Sequence, residues 1–307
     1  MLTFTDVSKQ YSKVRAVDRL TFSIEKGEIF ALLGPNGAGK TTSIRMIMQI
    51  IHPDSGTIAF DPALTTKKSV DRTRLGYLPE ERGLYQDATV MRTIVYLASL
   101  RGRDAAWSRK KAAEWLERFG LRDRAFDKVS ALSKGNQQKV QFIASILHEP
   151  DFVVLDEPFS GFDPINQELM SGVIRELREN GMTILLSAHQ MQLVERIADR
   201  ILLINDGREL ISGTIDEIHR KTVSDVKILV RFAGDVDTSR LEALPLIRSF
   251  QPTENGHWEV FLHETSSLND VLTGLSSAGT ITSLKTADVS LHDIFIQSFT
   301  NGGQNHA

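Results

Sequence analysis

The sequence predicts an α/β fold with a parallel sheet, and three apolar segments support that prediction. Residues 28–33 lead through a glycine-rich turn into a helical pattern at 41–47, which gives strand, loop and helix in order. Two further apolar runs, at 152–155 and 183–187, are each bounded by helical segments. Alternation of buried strands with crossover helices is typical of a parallel sheet covered by helices.

Strand signals are absent between residues 89 and 147, where amphipathic helical patterns replace them. One example is the segment 112–120, which ends at Gly120, a residue type common at helix C-termini. We therefore predict a helical subdomain at about residues 87–147, inserted in a main domain that covers residues 1–218.

The pattern changes again after Ile218. Residues 226–232 and 257–262 alternate as half-buried strands, with helix candidates near Leu241 and at 268–275. We predict a small α+β domain at 223–300 and a disordered tail at 301–307. From Val223 onward the chain has five basic and ten acidic residues, which argues against docking on phosphates or anionic lipids.

Composition excludes several classes of protein. The chain has 307 residues, 36 Lys and Arg, 39 Asp and Glu and no cysteine. The balance lacks the basic surplus of a general nucleic-acid binder, and the absence of cysteine excludes disulfides and thiolate metal sites. The N-terminus has no basic start followed by an apolar run, and the apolar stretches are too short to cross a bilayer. We expect a cytoplasmic protein without direct membrane insertion and without a nucleic-acid partner.

Residues 34–41 match the phosphate-binding pattern G-x-x-x-x-G-K-[ST], and they lie between a predicted strand and a predicted helix. Glycines free backbone N–H groups to surround phosphates, Lys40 reaches the terminal phosphates, and Thr41 holds Mg²⁺. The predicted nucleotide-binding residues of this loop are Gly34, Pro35, Asn36, Gly37, Ala38, Gly39, Lys40, Thr41 and Thr42. The alternative, a glycine-rich turn without chemistry, does not explain why strand and helix flank the pattern in this order.

Nucleotide hydrolysis also needs an acid near the metal and a group that takes a proton from water. Asp156 and Glu157 follow the apolar strand at 152–155. We predict that Asp156 belongs to the metal site and that Glu157 is the catalytic base. Alone, the pair could equally cap the next element; the phosphate loop upstream favours the catalytic interpretation.

A segment shortly before this pair resembles the signature motif of the ABC-type ATPases. It is the sequence Leu-Ser-Lys-Gly-Asn-Gln-Gln-Lys at residues 132–139. Other motifs of that family are similar and follow in the same order: Tyr11 resembles the aromatic residue that stacks on adenine, residues 160–163 resemble the D-loop, and His189 resembles the switch histidine. The resemblance covers roughly residues 1–215.

The resemblance implies roles for these residues. Ser133 begins a predicted helix, so its hydroxyl and the nearby backbone amides favour an anion. In the family this motif faces the nucleotide held by a second subunit, so Ser133, Gly135 and Asn136 are assigned to nucleotide binding. Asp163 and His189 join Glu157 in the implied catalytic set.

Two features depart from the usual family pattern. The signature reads Ser-Lys-Gly-Asn where Ser-Gly-Gly-Gln is commonest, and Glu80 stands where most members have the Q-loop glutamine. A glutamate can still accept a Mg²⁺ or water contact, but while ionised it cannot donate a hydrogen bond. The implied metal-site residues are Thr41, Glu80 and Asp156. These variants, with the segment 290–296, resemble a bacterial subgroup that includes sodium-export and uncharacterised efflux ATPases.

The resemblance implies an ATP-binding and ATP-hydrolysing subunit of an exporter, which uses ATP and Mg²⁺ and drives a separate multispanning permease. It also implies a second ABC ATPase subunit, in a homodimer or a heterodimer, and a peripheral position on the inner face of the cell membrane. The alternative is a soluble ABC ATPase that remodels a macromolecular complex. A single phosphate loop and the absence of sustained heptads between residues 89 and 147 argue against most such ATPases.

Overall fold

The computed structural model describes residues 1–66, 69–81, 83–222, 225–234, 236–253, 256–263 and 268–287. The chain divides into two compact units, with the division between Ile215 and Asp216. The predicted domain limits at 218 and 223 lie a few residues after this division. The segment 290–296 and the predicted tail at 301–307 lie outside the described residues.

The first unit contains nine strands and six helices within the described residues. In chain order they are β1 (Leu2–Tyr11), β2 (Val14–Ile24), β3 (Ile29–Leu33), α1 (Lys40–Ile47), β4 (Ser55–Phe60), β5 (Leu75–Leu78), α2 (Val90–Ser99), α3 (Ala105–Arg118), α4 (Lys134–Ile146), β6 (Phe152–Asp156), α5 (Pro164–Glu179), β7 (Thr183–Ala188), α6 (Met191–Glu195), β8 (Arg200–Asn205) and β9 (Arg208–Thr214). A further helix, α7 (Ile215–Thr222), begins at the last residue of this unit.

The central sheet has the strand order β5-β6-β7-β3-β8-β9. All neighbouring pairs are parallel except β8 with β9. The three predicted strands are β6, β7 and β3, which lie side by side at its centre. All three are buried over their whole length, which explains their continuous apolar runs. The predicted α/β fold with a parallel sheet is confirmed.

A second sheet, with the order β2-β1-β4, is antiparallel throughout. Sequence patterns did not predict it. Three aromatic rings connect it to the central sheet: Phe4 stacks on Phe22 at 4.5 Å, and Phe22 stacks on Phe30 of β3 at 5.4 Å between ring centres. These rings belong to the core shared by the two sheets.

The predicted helical region contains α2, α3 and α4, and α2 packs against both of the others. Each helix is preceded by a residue whose side chain accepts a hydrogen bond from a backbone N–H of the first turn: Thr89 for α2, Asp104 for α3 and Ser133 for α4. Such capping satisfies amide groups that have no partner within the helix. None of the described helices combines the length and the apolar character needed to cross a bilayer.

His148 connects the end of α4 to the central sheet. Its imidazole is 2% exposed, and Nε2–H donates to the carbonyl oxygen of Leu75 at 2.9 Å. Nδ1 is buried without a hydrogen-bond partner among the described residues. Burial, and to a smaller extent the charges of Arg101 and Arg103, lower the pKa of His148 to about 4, while the hydrogen bond to Leu75 opposes this change.

We expect this histidine to make the protein acid-sensitive. The folded-state pKa of about 4 lies below the unfolded value of 6.5, so the unfolded chain binds the extra proton between those pH values. The free energy of unfolding is unaffected above pH 6.5 and falls by about 3 kcal/mol as the pH drops through 4. Denaturant unfolding at pH 7 and pH 4.5 measures this loss. His148→Gln keeps an amide donor for Leu75 without a titrating group, so it should lose less stability; an equal loss would contradict the prediction.

The second unit follows a βαββαβ pattern. Its elements are β10 (Asp225–Ala233), α8 (Thr238–Glu242), β11 (Ile247–Pro252), β12 (Trp258–His263), α9 (Leu268–Ala278) and β13 (Thr280–Ala287). The sheet order is β11-β12-β10-β13, and every pair is antiparallel. Apolar side chains of both helices and of the strands form one core. The predicted α+β class is confirmed, although β11 and β13 were not predicted.

Candidate active site

The phosphate-binding loop joins β3 to α1, and its shape depends on glycine. Gly39 has φ +105°, and a β-carbon there would overlap the carbonyl oxygen of Ala16 in β2. Gly207 also lies against the backbone of Ala16. A β-carbon added at this position would lie 2.8 Å from the Ala16 carbonyl oxygen, which is too close for a residue with a side chain. The first turn of α1 has no side-chain cap, so its amide groups are available to an anion.

Lys40 begins α1 and is 6% exposed. Its Nζ donates to the carbonyl oxygens of Gly34 at 2.7 Å and Pro35 at 3.2 Å, so it holds the loop in a curved shape. Burial lowers the pKa of Lys40, while the negative charges of Glu157, Asp156 and Glu80 oppose that change. A terminal phosphate would offer this ammonium group a stronger, charged acceptor than a carbonyl.

Asp156 is the last residue of β6 and is almost fully buried. Its Oδ1 accepts a hydrogen bond from Ser187 Oγ at 2.5 Å, and Oδ2 has no partner among the described residues. Burial raises the pKa of Asp156, which the hydroxyls of Ser187 and Thr41 partly offset. A buried carboxylate oxygen without a partner is a ready ligand for a hard cation.

Glu157 has a left-handed backbone, with φ +52°, which is uncommon for a residue with a side chain. Its amide N–H donates to Ser187 Oγ at 3.0 Å, and its Oε2 lies 2.8 Å from His189 Nδ1. Burial raises the pKa of Glu157, and the neighbouring His189 and Lys40 lower it. The turn after β6 therefore directs the two carboxylates to different partners within one site, that of Asp156 to Ser187 and that of Glu157 to His189.

The phosphate loop and two acidic side chains enclose a cavity of about 260 Å³. The lining residues are Ala16, Pro35, Asn36, Gly37, Ala38, Gly39, Lys40, Thr41, Thr42, Glu80 and Glu157. Glu80 follows β5, and its charge acts on both Lys40 and Asp156. The structure thus places both predicted glutamates and every predicted residue of the phosphate loop except Gly34 around a single space.

The remaining predicted residues do not line this cavity. Tyr11 ends β1 with 43% of its surface exposed. Ser133 caps α4 by accepting the amide N–H of Asn136 at 3.3 Å, and Gly135 lies in the first turn of that helix. Asp163 caps α5 through a 2.8 Å bond from the amide of Asn166. The roles assigned to these residues stay predictions.

Several residues near the site were not predicted. Ser187 lies opposite Asp156 in the β6–β7 register and connects both acidic residues through one hydroxyl. Two glutamines of α4 contact the backbone at the predicted glutamates. Gln138 donates to the carbonyl oxygen of Glu157, and Gln141 donates to those of Pro79 and Glu81, on either side of Glu80. The adjacency of β6 and β7 was a usable signal for Ser187, because parallel neighbours bring their carboxyl ends to one edge.

The donor set fits Mg²⁺ bound together with a nucleotide. The described residues include no group of three or more His, Asp or Glu side chains able to hold a metal by themselves. Mg²⁺ is ordinarily held by one or two carboxylates or hydroxyls plus substrate phosphates and water. Three groups of the protein are suitable Mg²⁺ ligands: the unpartnered Oδ2 of Asp156, the hydroxyl of Thr41 and the carboxylate of Glu80.

Together, the parallel sheet, the phosphate loop and the acidic strand end define a P-loop nucleoside triphosphatase. The chain matches the ABC transporter family over residues 17–160 and the DrrA1-3-like C-terminal domain over residues 213–299. The uncharacterized ABC transporter ATP-binding protein YhaQ of Bacillus subtilis is 38% identical over 97% of this chain and 98% of its own. The chain belongs to the ABC transporter ATP-binding proteins, a family of ATPases.

Two further similarities each cover about 70% of the chain. Nod factor export ATP-binding protein I of Burkholderia orbicola is 36% identical over 214 residues, which is 69% of this chain and 70% of the relative. A solved structure of an ATP-binding subunit of an ABC transporter is 32% identical, with a TM-score of 0.65, and the match covers 72% of this chain and 92% of the other.

Proposed function

We propose that this protein hydrolyses ATP to drive an exporter whose membrane-spanning part is a separate permease. One observation supports the catalytic part most strongly. Lys40, Glu80 and Glu157 line the same small cavity as the phosphate loop, with the unpartnered oxygen of Asp156 beside it. Cationic, metal-binding and basic groups therefore surround the space that a triphosphate would fill.

Each residue has a separate task in this proposal. Backbone amides at the start of α1 and the ammonium of Lys40 bind the phosphates. Thr41, Asp156 and Glu80 would hold Mg²⁺, which neutralises charge on the phosphates when bound. Glu157 takes the proton from the attacking water, and its raised pKa improves it as a base near neutral pH. His189 orients the Glu157 carboxylate through the 2.8 Å contact.

The signature residues support a two-chain site. None of the described residues that line the cavity comes from the segment 132–137. A β-carbon at Gly135 would make only ordinary contacts, 3.5 Å from the Gly161 oxygen, so packing within the chain does not require glycine there. We infer that Gly135 leaves space for a nucleotide held by a second ATPase subunit, with Ser133 and Asn136 beside it and Asp163 near the contact.

Export is supported by the relative named for Nod factor export. A subunit of this kind would be peripheral on the cytoplasmic face of the membrane. The second unit carries none of the residues of the cavity. We propose that it adjusts assembly and takes no part in hydrolysis.

Purification of the tagged Glu157→Gln protein from detergent-solubilised membranes with ATP and Mg²⁺ tests the transport assignment. If ATP holds the assembled form together, a multispanning membrane protein should co-purify in stoichiometric amount and dissociate when nucleotide is removed. The Lys40→Ala protein serves as the control that cannot be stabilised by ATP. Recovery with a soluble complex, and no multispanning protein, would contradict the proposal and favour a remodelling ATPase.

A further inference from the structure

Gln141 contacts the segment that holds Glu80. It lies in the third turn of α4 with 5% of its surface exposed. Its side-chain Nε2 donates to the carbonyl oxygen of Pro79 at 3.1 Å and to that of Glu81 at 3.2 Å. These two carbonyls belong to the residues immediately before and after Glu80.

The chemistry of this contact requires a side chain with two donors. Two carbonyl oxygens directed at one point repel each other, and the two hydrogens of an amide NH₂ group satisfy both. The other end of the amide, Oε1, is buried without a hydrogen-bond partner among the described residues. The amide is therefore oriented by the two carbonyls alone, because reversing it would bring three oxygens together.

Glu80 is the part of this segment that reaches the active site. It lines the cavity beside the phosphate loop, and its negative charge acts on Lys40 and Asp156. Hydrogen bonds to the carbonyls on both sides of Glu80 fix its position and the direction of its side chain more closely than one hydrogen bond would. A displacement of about 1 Å at a metal ligand is enough to weaken the site.

We propose that Gln141 is a positioning residue for Glu80, and that through these two bonds α4 holds the Glu80 carboxylate at the nucleotide and Mg²⁺ site. This inference rests on the proposed function of the cavity. Because α4 begins at the Ser133 cap, the same rigid helix joins the signature residues to the Glu80 segment. The helix would thus transmit a movement at either end to the other.

The test is a double-mutant cycle with Gln141→Met and Glu80→Ala. Methionine keeps the length and volume of glutamine but has no donor. We expect each single variant to raise the Mg²⁺ concentration for half-maximal ATP binding by about fivefold, as the loss of roughly one net hydrogen bond implies. We expect the double variant to match Glu80→Ala alone, because Gln141 acts through Glu80. A further fivefold rise in the double variant would overturn the proposal.

Ser145→Ala is the matched control. Ser145 lies one turn further along α4 and is buried, and among the described residues its hydroxyl donates within its own helix, to the Phe142 oxygen. This variant should leave the Mg²⁺ dependence unchanged. Hydrogen exchange of the Glu80 and Glu81 amides in the nucleotide-free protein gives an independent readout. Exchange should accelerate in Gln141→Met and stay unchanged in Ser145→Ala, and an unchanged rate in Gln141→Met would overturn the proposal. Failure of wild-type protein to bind ATP would refute the proposed function, whereas hydrogen exchange would still decide whether Gln141 holds this segment.

Discussion

Glu157→Gln is expected to bind ATP normally and to hydrolyse it about 10²- to 10⁴-fold more slowly than the wild-type protein. The substituted amide has nearly the same shape but cannot accept a proton from water at neutral pH. Burial raises the pKa of the glutamate, which brings it closer to the pH at which a general base works best. Steady-state phosphate release measures the rate, and equilibrium binding with labelled ATP measures the affinity.

The same variant should accumulate as an ATP-dependent dimer, because hydrolysis no longer releases the two subunits. Sedimentation with and without ATP detects this change. Glu117→Gln is a suitable control, since Glu117 is an exposed glutamate of α3 that pairs with Arg122. If Glu157→Gln hydrolyses ATP within a fewfold of the wild-type rate, another group is the base.

Lys40→Ala should lose affinity for ATP itself, by about 10- to 100-fold, because a hydrogen bond between charged groups contributes roughly 1.5 to 3 kcal/mol. The lysine faces the cavity beside the loop that would hold the phosphates. Isothermal calorimetry measures the affinity. An affinity equal to that of the wild-type protein would show that Lys40 does not contact the phosphates.

Lys40 also donates to two loop carbonyls, so its removal could act by altering the loop. Lys40→Met keeps the apolar stem, and its thermal unfolding should be compared with that of the wild-type protein. Lys26→Ala, which removes an exposed lysine before β3, controls for the change in net charge. A phosphate-binding role requires that Lys40→Met loses ATP affinity while its unfolding temperature changes little.

The central strands could be predicted because their signals are local. β3, β6 and β7 are short, wholly buried and continuous in apolar residues. The first two strands were harder, because their pairing is irregular. The β1–β2 register shifts three times, and Asp6 and Arg19 have left-handed backbones that interrupt the alternation. Strand β4 pairs with β1 only after some 50 residues of intervening chain, which no local pattern reveals.

The same distinction applies to the site. The phosphate loop, Asp156 and Glu157 each lie next to a strand end, so their spacing was informative. Ser187 and Gln141 reach the site only through the tertiary structure. Ser187 is 31 residues from its partner Asp156 in the sequence, and Gln141 is 60 residues from its partner Glu81. Ser133 and Asp163 are both N-caps, and a capping pattern cannot separate a structural serine or aspartate from one that also contacts a nucleotide.

The contact of Gly39 and Gly207 with Ala16 has a consequence for protein engineering. The backbone of β2 passes so close to both glycines that the antiparallel sheet acts as a template for the phosphate loop. A chimera that takes β1 and β2, the first 24 residues, from a relative must therefore reproduce the path of β2 at Ala16, and sequence identity elsewhere in these two strands matters less. Domain-exchange libraries should be screened for this backbone distance first, because a bulge inserted near Ala16 would distort the loop even when every loop residue is retained.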